Sequence, residues 1–345
     1  MIDYTYFAES VETRVGPQKH KIVIGQPFPF PGTLKSAGKV ALEGIKIAQI
    51  NHERALRDLI VDLKLSFHEI GYLQRAITMT QQNHKLMQHA VKLANTRYAK
   101  DEGTLNDVLK AQSQQAQLAY DLILLRELIE VETAQLNALL DLPTTTPVGK
   151  TVQQPMQPLT ADYETIEKEA LTNRQELLIA TSKIEQTKHR IGLARNKNLP
   201  SFKASIGTIV TDDADNPAVT DSGKDPVLIG LSMSLPWNVS KNVAAVKEAE
   251  LTHEAAIKDQ KNLENTTRAT LRRVYFRLQN SRRLVTLYEK SLIPQAKKSM
   301  EISETWEVDG KKNLAGFLET QSIWLNFNLA RMRAVTDYNQ YLAKL

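Results

Sequence analysis

The run from residue 33 to residue 98 limits the possible folds more than any other part of the sequence, because it contains almost no helix breakers. Its apolar residues recur at alternating spacings of three and four, as on the packed face of a coiled coil. The predicted seam is Leu56, Ile60, Leu63, Phe67, Ile70, Gln74 and Ile77. One helix of this extent would be about 100 Å long. We therefore predict an elongated, mainly helical protein.

Two distant stretches share a pattern, "RYAKDEGTLNDVLKAQ" from Arg97 and "TWEVDGKKNLAGFLETQ" from Thr305. Each has an aromatic residue, a glycine and a closing glutamine, and the glutamines align if the second stretch holds two extra residues. Pro29 and Gly103 are as far apart as Pro236 and Gly310. We infer an internal duplication in which a glycine follows the first long helix of each half. Gly103 is expected to supply a left-handed cap there.

A period of two marks the segments before the long helices. In "DPVLIGLSMSLPW" the apolar residues alternate with small or polar ones, which predicts a strand with one apolar face. That face comprises Val227, Ile229, Leu231, Met233 and Leu235. "SFKASIGTIVTD" predicts its hairpin partner, and "IDYTYFAES" with "HKIVIGQPF" form a weaker pair. Four strands are too few to close a barrel, so other chains are expected to share the sheet.

Strands of this length and alternation fit a transmembrane sheet, and they also fit a soluble sandwich or a hairpin cap on a helical bundle. The predicted fold class is mainly α with β, arranged as two repeats. The predicted boundaries are a first repeat at 1–143 (β-hairpin about 2–30, helical hairpin 33–141), a linker at 144–160, and a second repeat at 161–345 (helices 161–197, β-hairpin about 201–236, helical hairpin 238–344).

Composition argues against several classes of function. The net charge of +5 is small for 345 residues, and basic residues alternate with acidic ones, so nucleic acid is not an expected partner. The chain has no cysteine, and its histidines are scattered; His84 and His89 lie five apart, which does not place two ligands on one helical face. Phosphate-binding loops and nucleophile motifs are absent from the sequence. We expect no enzyme activity, no cofactor and no metal site.

The chain resembles the TolC family of outer-membrane efflux proteins in its order of elements. A strand hairpin, a long helix, a glycine turn and a second helix follow one another, and this order occurs twice. "IGQPFPFPGTLK" resembles the family's entry from strand to helix, and the two stretches with a closing glutamine resemble its helix-hairpin tips. "EKEALTNRQELLIATSKIEQTKHRIGLARNKNLPSFKASIG" resembles its middle segment. "RVGPQ" followed by "QPFPFPG" is similar to the heavy-metal efflux branch, which is CusC- and CzcC-like.

The resemblance implies a homotrimer whose twelve strands close a β-barrel among outer-membrane lipids. The helices would continue as an α-barrel through the periplasm. It also implies a passive exit duct of a tripartite efflux pump or a type I secretion system. Its partners would be a periplasmic adaptor, that is, a membrane fusion protein, and an inner-membrane pump of the RND or ABC type. The apolar side chains from Val227 to Leu235 would then face lipid.

The resemblance assigns two roles to the hairpin tips. Gly103 and Gly310 would lie where the adaptor docks. Glu319 would form a ring of carboxylates that narrows the pore, while Gly316 occupies the position of a second acidic ring. A polar link between hairpins would hold the iris-like gate closed, and it carries over to Asp107 with Lys311 or Lys312, near Trp306.

The chain departs from the family at its start, "MIDYTYFAES", which has no secretory signal, no further periplasmic segment and no lipidated cysteine. We therefore expect an N-terminally shortened chain or a fragment, for which trimer assembly and membrane insertion are open questions. The alternative function is a soluble coiled-coil scaffold or adaptor with β-rich ends.

Overall fold

The computed structural model describes residues 1–152, 154–216, 218–305 and 314–345. These residues are mostly helical and hold four strands in one antiparallel sheet, which confirms the prediction of a mainly α fold with β-strands. The elements in chain order are β1 (Ile2–Tyr6), β2 (Gln18–Phe28), α1 (Thr33–Ala99), α2 (Leu105–Leu139), α3 (Tyr163–Asn173), α4 (Gln175–Lys197), β3 (Ser201–Thr211), β4 (Val227–Ser234), α5 (Val239–Leu287), a π-helical turn (Tyr288–Leu292), α6 (Ile293–Thr305) and α7 (Leu314–Lys344). Among the helices of these residues, none combines the length and the apolar character needed to cross a membrane.

The chain forms two compact units. The first comprises Met1–Asn51 and Arg174–Glu264, and the second comprises His52–Asn173 and Asn265–Leu345. Each unit therefore combines segments that are distant in sequence. The predicted repeats divide the chain along its sequence instead, and they stay a prediction.

The first unit contains the sheet, whose strands follow the order β1-β2-β3-β4 with every neighbouring pair antiparallel. Gly16 lies in the connection between β1 and β2 with a φ of 122°. A Cβ atom at this position would lie 1.7 Å from the carbonyl oxygen of Asp212, so the connection requires glycine. Within the described residues, β1 and β4 are the edge strands, each with a neighbour on one side.

Hydrogen bonds join the helices of the first unit. The Gln186 side chain on α4 donates to the backbone carbonyl of Val40 on α1 at 3.3 Å. The Thr187 hydroxyl lies 3.0 Å from Nδ1 of His253 on α5. Both Gln186 and Thr187 are buried. These bonds satisfy polar side chains that would otherwise be costly to bury.

The second unit has a core built by α1, α2 and α7. Its largest hydrophobic cluster contains Met87 and Ala90 of α1, Val108 of α2, and Leu318 and Leu325 of α7. The buried residues of α1 keep spacings of three and four, and most of them are small or polar. This stripe includes Ser66, Ile70, Leu73, Ala76, Thr80, Asn83, Met87, Ala90 and Ala94.

The predicted seam of α1 shares only Ile70 with the buried stripe; Leu56 and Ile60 are exposed, and the other predicted residues are half-buried. Leu56 and Ile60 are 52% and 45% exposed, whereas Ile70 is fully buried. Gln74 lies outside the buried stripe, because its side chain accepts a hydrogen bond from the Thr151 amide at 2.9 Å and donates to the Gly149 carbonyl at 3.0 Å. Small side chains allow close approach of neighbouring helices, so alanine, serine and threonine occupy contacts that we assigned to large aliphatic residues.

The segment after α2 belongs to the second unit and is hydrogen-bonded to two of its helices. The Asn137 side chain donates to the carbonyl oxygens of Thr144 and Thr146, at 3.1 and 2.8 Å. Further along, the Tyr338 hydroxyl of α7 donates to the carbonyl of Gln157 at 2.5 Å. The predicted linker is thus held to helices at both of its ends.

The π-helical turn between α5 and α6 precedes Pro294. The Ile293 amide donates to the Tyr288 carbonyl, five residues back. Pro294 has no amide hydrogen for an α-helical bond, so a wider turn at this place has an identifiable cause. Ala296, in the following turn, is buried.

Candidate functional site

Four isoleucines form one row across the sheet. Ile2 pairs with Ile24, Ile24 with Ile206, and Ile206 with Ile229. Directly paired residues on antiparallel strands project to the same face. All four isoleucines are exposed. Exposed members of the same face in neighbouring rows are Tyr4, Tyr6, Ile22, Phe28, Phe202, Val227, Leu231 and Met233.

The opposite face of the sheet carries mainly small, polar and charged side chains, together with Val23, Ile209 and Leu228. Lys203 lies 3.6 Å from the carboxylate of Asp3. Ser205 is paired with Gly25 on one side and Gly230 on the other. A Cβ atom on Gly230 would lie 2.6 Å from the Ser205 hydroxyl oxygen. The two faces therefore differ in polarity, as a sheet between an apolar and an aqueous phase requires.

The predicted lipid-facing residues lie on or just after β4. Ile229 and Leu231 are 83% and 87% exposed, and Val227 and Met233 are exposed as well. β4 ends at Ser234, so Leu235 follows the strand instead of belonging to it. Contact of this face with lipid stays a prediction.

The first hairpin tip reverses the chain between α1 and α2. Asp101 has the left-handed conformation, with a φ of 56°, whereas Gly103 does not. The expected left-handed cap at Gly103 is therefore wrong, because an aspartate side chain tolerates that conformation and takes the position two residues earlier. A Cβ atom on Gly103 would lie 3.3 Å from the Cβ of Arg97, so Gly103 instead provides room where the two chain segments pass closely.

Asp107 caps the start of α2. The Asp107 carboxylate accepts hydrogen bonds from the amide and the hydroxyl of Thr104, at 3.2 and 2.8 Å. The Thr104 hydroxyl in turn accepts from the Asp107 amide at 3.2 Å. This is a capping box, which stabilises a helix start by satisfying its free amides. The sequence predicted a gate residue at this position and did not predict the cap.

The second hairpin tip falls largely outside the described residues. Trp306, Gly310, Lys311 and Lys312 all lie in the range 306–313, so their predicted roles are not tested. Glu319 lies on α7 and is exposed, next to the buried Leu318. The expected ring of Glu319 carboxylates stays a prediction.

A charged network that the sequence did not predict joins α1 to α7. The Arg333 guanidinium donates to both carboxylate oxygens of Glu69, at 2.6 and 2.9 Å, and to Asp337 at 2.7 Å. It also lies 5.0 Å from the ring centroid of Tyr72. The spacing of four between Arg333 and Asp337 is readable from the sequence. The contact with Glu69 is not, because 264 residues separate the two.

Glu132 of α2 lies at the edge of this network. Its carboxylate accepts a hydrogen bond from the Ser66 hydroxyl at 3.4 Å. Burial raises the pKa of Glu132, and the negative charge of Glu69 raises it further. The network therefore contains a carboxyl group that holds its proton to higher pH than an exposed glutamate.

No group of three or more histidine or acidic residues that could hold a metal ion occurs in the part of the chain that the structure describes. His84 is half-buried and His89 is exposed. The features that the described residues do show are a sheet with one apolar face and helices joined through polar contacts.

The fold is similar to that of several solved outer-membrane proteins. The outer membrane protein VceC from Vibrio cholerae has a TM-score of 0.79 at 17% identity, over 99% of this chain and 83% of its own. The CmeC outer membrane channel of Campylobacter jejuni has a TM-score of 0.78 at 15% identity, over 99% and 76% of the two chains. The open state of the Neisseria gonorrhoeae MtrE outer membrane channel has a TM-score of 0.74 at 16% identity, over 100% and 78%.

At these identities the likeness shows the fold alone. No curated protein sequence matches the chain significantly. The sequence model of a family described as "Outer membrane efflux protein" matches residues 15–141 and 167–345, which is most of the chain. This chain therefore belongs to the outer membrane efflux protein family.

Proposed function

We propose that this chain is one subunit of a passive exit duct in the outer membrane, serving a tripartite efflux pump or a type I secretion system. The observation that carries the proposal is the row of exposed isoleucines from Ile2 to Ile229 on one face of the sheet, opposite a face of mainly small, polar and charged residues. Burying such a face in lipid removes its apolar area from water.

The proposed assembly is a homotrimer that closes a twelve-stranded barrel. In the described part of the chain, the sheet has two edge strands, β1 and β4. Unpaired backbone groups are costly in lipid, so β1 of one copy would pair with β4 of the next. The pairing would leave no free edge.

The helices of the proposed duct would lie in the periplasm. Their hairpin tips, at Gly103 and Gly310, would meet a periplasmic adaptor, and an inner-membrane pump of the RND or ABC type would supply the energy. A photo-crosslinking residue at the exposed Glu102 should capture such an adaptor in cells. Absence of any adaptor crosslink there would contradict docking at this tip.

The proposed gate is an iris at the tips. Three Glu319 carboxylates near the axis would repel each other and attract cations, which narrows the duct electrostatically. The closed state would be held by an exposed ion pair from Asp107 to Lys311 or Lys312, near Trp306. Breaking such a pair costs about 1 kcal/mol or less. Adaptor docking would supply that energy. Membership of the CusC- and CzcC-like branch stays a prediction.

The proposal is tested on protein extracted from outer membranes with detergent. Negative-stain images should show trimeric tubes, and the same sample should give stepwise conductance in planar lipid bilayers. Recovery of the protein in the aqueous fraction as rods or filaments without conductance would instead support a coiled-coil scaffold.

A further inference from the structure

One side of α2 is apolar and exposed. The helix turns Leu118, Leu122 and Leu136 inward, where they are buried, and Leu118 packs in the cluster shared with α7. The large apolar residues that α2 exposes on its other side are Tyr120, Ile123, Leu124, Leu128 and Val131. Exposed apolar surface of this extent on one side of a helix indicates an interaction surface.

A second exposed stripe lies where α5 passes through the π-helical turn into α6. Val285 of α5 packs against α7. Leu287, Lys290 and Pro294 follow at spacings of three and four, and all three are exposed. At these spacings they share one side of the helix, which is turned away from Val285 and therefore from α7.

Hydrogen bonds fix the axial levels of these helices. Toward the hairpin tips, Gln114 of α2 donates to the Leu318 carbonyl of α7 at 3.5 Å. Thr320, on the same turn of α7, donates through its hydroxyl to the Ser303 hydroxyl of α6 at 3.4 Å. Gln114 of α2 and Ser303 of α6 therefore lie at nearly the same level.

A second level lies near the other end of α2. Glu132 of α2 and Arg333 of α7 bind side chains on the same turn of α1. Arg331, also on that part of α7, donates to the Glu289 carboxylate at 3.0 Å. Glu132 of α2 therefore lies close to the level at which α5 enters the π-helical turn.

Interpolation between these two levels matches the exposed stripes. It places Val131, Glu127 and Leu124 of α2 within about one helical turn of the levels of Leu287, Lys290 and Pro294, in that order. Along α2 the stripe is apolar, acidic and apolar, and along α5 and α6 it is apolar, basic and apolar. Glu127 and Lys290 are both exposed, and neither forms an ion pair within the described residues.

We propose that the exposed stripe of α2 packs against the stripe of α5 and α6 in the next copy of the chain, with Glu127 paired to Lys290 across the interface. The inference rests on the proposed function, because it requires the homotrimer of the exit duct. Rotation about an axis along the helices carries a residue to the next copy at an unchanged level, so matched levels within one chain become contacts between chains. Within one chain the two stripes point away from α7, which lies between α2 and α5.

The interface is tested by thiol crosslinking in outer membranes. The chain has no cysteine, so Val131→Cys combined with Leu287→Cys introduces the only thiols of the protein. A short bifunctional maleimide should produce covalent dimers and trimers, and nothing larger, on a denaturing gel. Val131→Cys combined with Glu301→Cys is the matched control, because its second thiol is exposed roughly 20 Å further along the helix; it should stay monomeric.

A charge exchange tests the ion pair. Glu127→Lys places two like charges at the interface, so the trimer fraction in unheated gels should fall at least threefold. Addition of Lys290→Glu restores opposite charges and should return the trimer fraction to that of the wild type. Arg282→Glu changes an exposed charge of α5 outside the stripe and should leave the trimer fraction unchanged.

Three results would overturn this interface in a sample whose wild type is trimeric. They are no crosslink between copies through Val131→Cys and Leu287→Cys, equal crosslinking of the control pair, and a trimer fraction that Glu127→Lys leaves unchanged or that Lys290→Glu does not restore. A wild type that never forms trimers would instead overturn the proposed duct, and the interface with it.

Discussion

The side chain of Gln321 donates a hydrogen bond of 2.5 Å to the side chain of Asn83 at a buried contact between α7 and α1, although the two residues lie 238 apart in sequence. Both residues belong to stripes with spacings of three and four, on α7 and α1. A polar pair at such a position fixes how two helices align, because a shift along the axis would leave the Gln321 Nε2 hydrogens and the Asn83 Oδ1 acceptor without each other.

The first prediction concerns this pair. Asn83→Leu leaves the Gln321 amide hydrogens buried without their acceptor, so we expect a loss of about 1 to 3 kcal/mol in the free energy of unfolding. The double variant with Gln321→Leu should lose less than the sum of the single variants, measured by denaturant unfolding. Asn326→Leu, at an exposed position of α7, is the control. Strict additivity of the two single changes would show that the hydrogen bond contributes nothing.

The second prediction concerns the two faces of β4. An arginine on a lipid face costs about 2 to 4 kcal/mol near the bilayer midplane. Ile229→Arg should therefore reduce the amount of trimer in the outer membrane, as judged by gel mobility without heating. Leu228→Arg is the matched control, because it lies at the same depth on the opposite face, paired with Gly207. Equal assembly of both variants would refute the assignment of the lipid face.

The third prediction separates the two roles of Asp107. If Asp107 links the hairpin tips, Asp107→Ala should raise the single-channel conductance in planar bilayers. Thr104→Ala breaks the same capping box while leaving the carboxylate in place, at a cost of about 1 kcal/mol. An equal rise in both variants would assign the effect to the lost cap and not to a link.

The fourth prediction concerns the exposed carboxylate at Glu319. Glu319→Ala removes three symmetry-related charges from the proposed gate, so cation selectivity, measured as a reversal potential in a salt gradient, should decrease. Glu301→Ala, an exposed carboxylate on α6, is the control. Identical reversal potentials for wild type and Glu319→Ala would place the constriction elsewhere.

The fifth prediction concerns Glu132. Because its pKa is raised in the folded protein, the stability it contributes is fully present below the pKa of an unfolded glutamate and is lost as the pH rises through the raised value. Glu132→Gln mimics the neutral form, so its Tm should exceed that of wild type at about pH 8, and the difference should shrink toward about pH 4. Glu130→Gln, exposed on the same helix, should show no such trend. A difference that is constant with pH would exclude titration of Glu132 as its cause.

The sequence predicted the order of elements well, because breakers and periodicity are local properties. Pro143 and Gly103 lie close to helix ends, and the alternation in β4 predicted the strand from Val227 onward. The packed face of α1 was predicted poorly, because many of its buried residues are small or polar, such as Ala76 and Thr80. The periodicity of large apolar residues does not include them.

The contacts between distant residues could not be predicted in this way. Nothing near Glu69 in the sequence indicates that its partner is Arg333, because folding alone brings α1 and α7 together. The pattern Thr-x-x-Asp before a helix indicates the cap made by Asp107, whereas the family resemblance assigned this residue to a gate.

The π-helical turn before Pro294 has a consequence for how the chain tolerates insertions and deletions. Such a turn accommodates one residue more than an α-helical turn, and each residue rotates a helix by about 100°. Deleting one residue between Tyr288 and Leu292 would remove the extra residue of this turn and rotate α6, carrying the buried Ala296 away from its neighbours. The extra residue therefore sets the rotation of α6 about its axis. A protein that lost this residue would need other buried residues on α6.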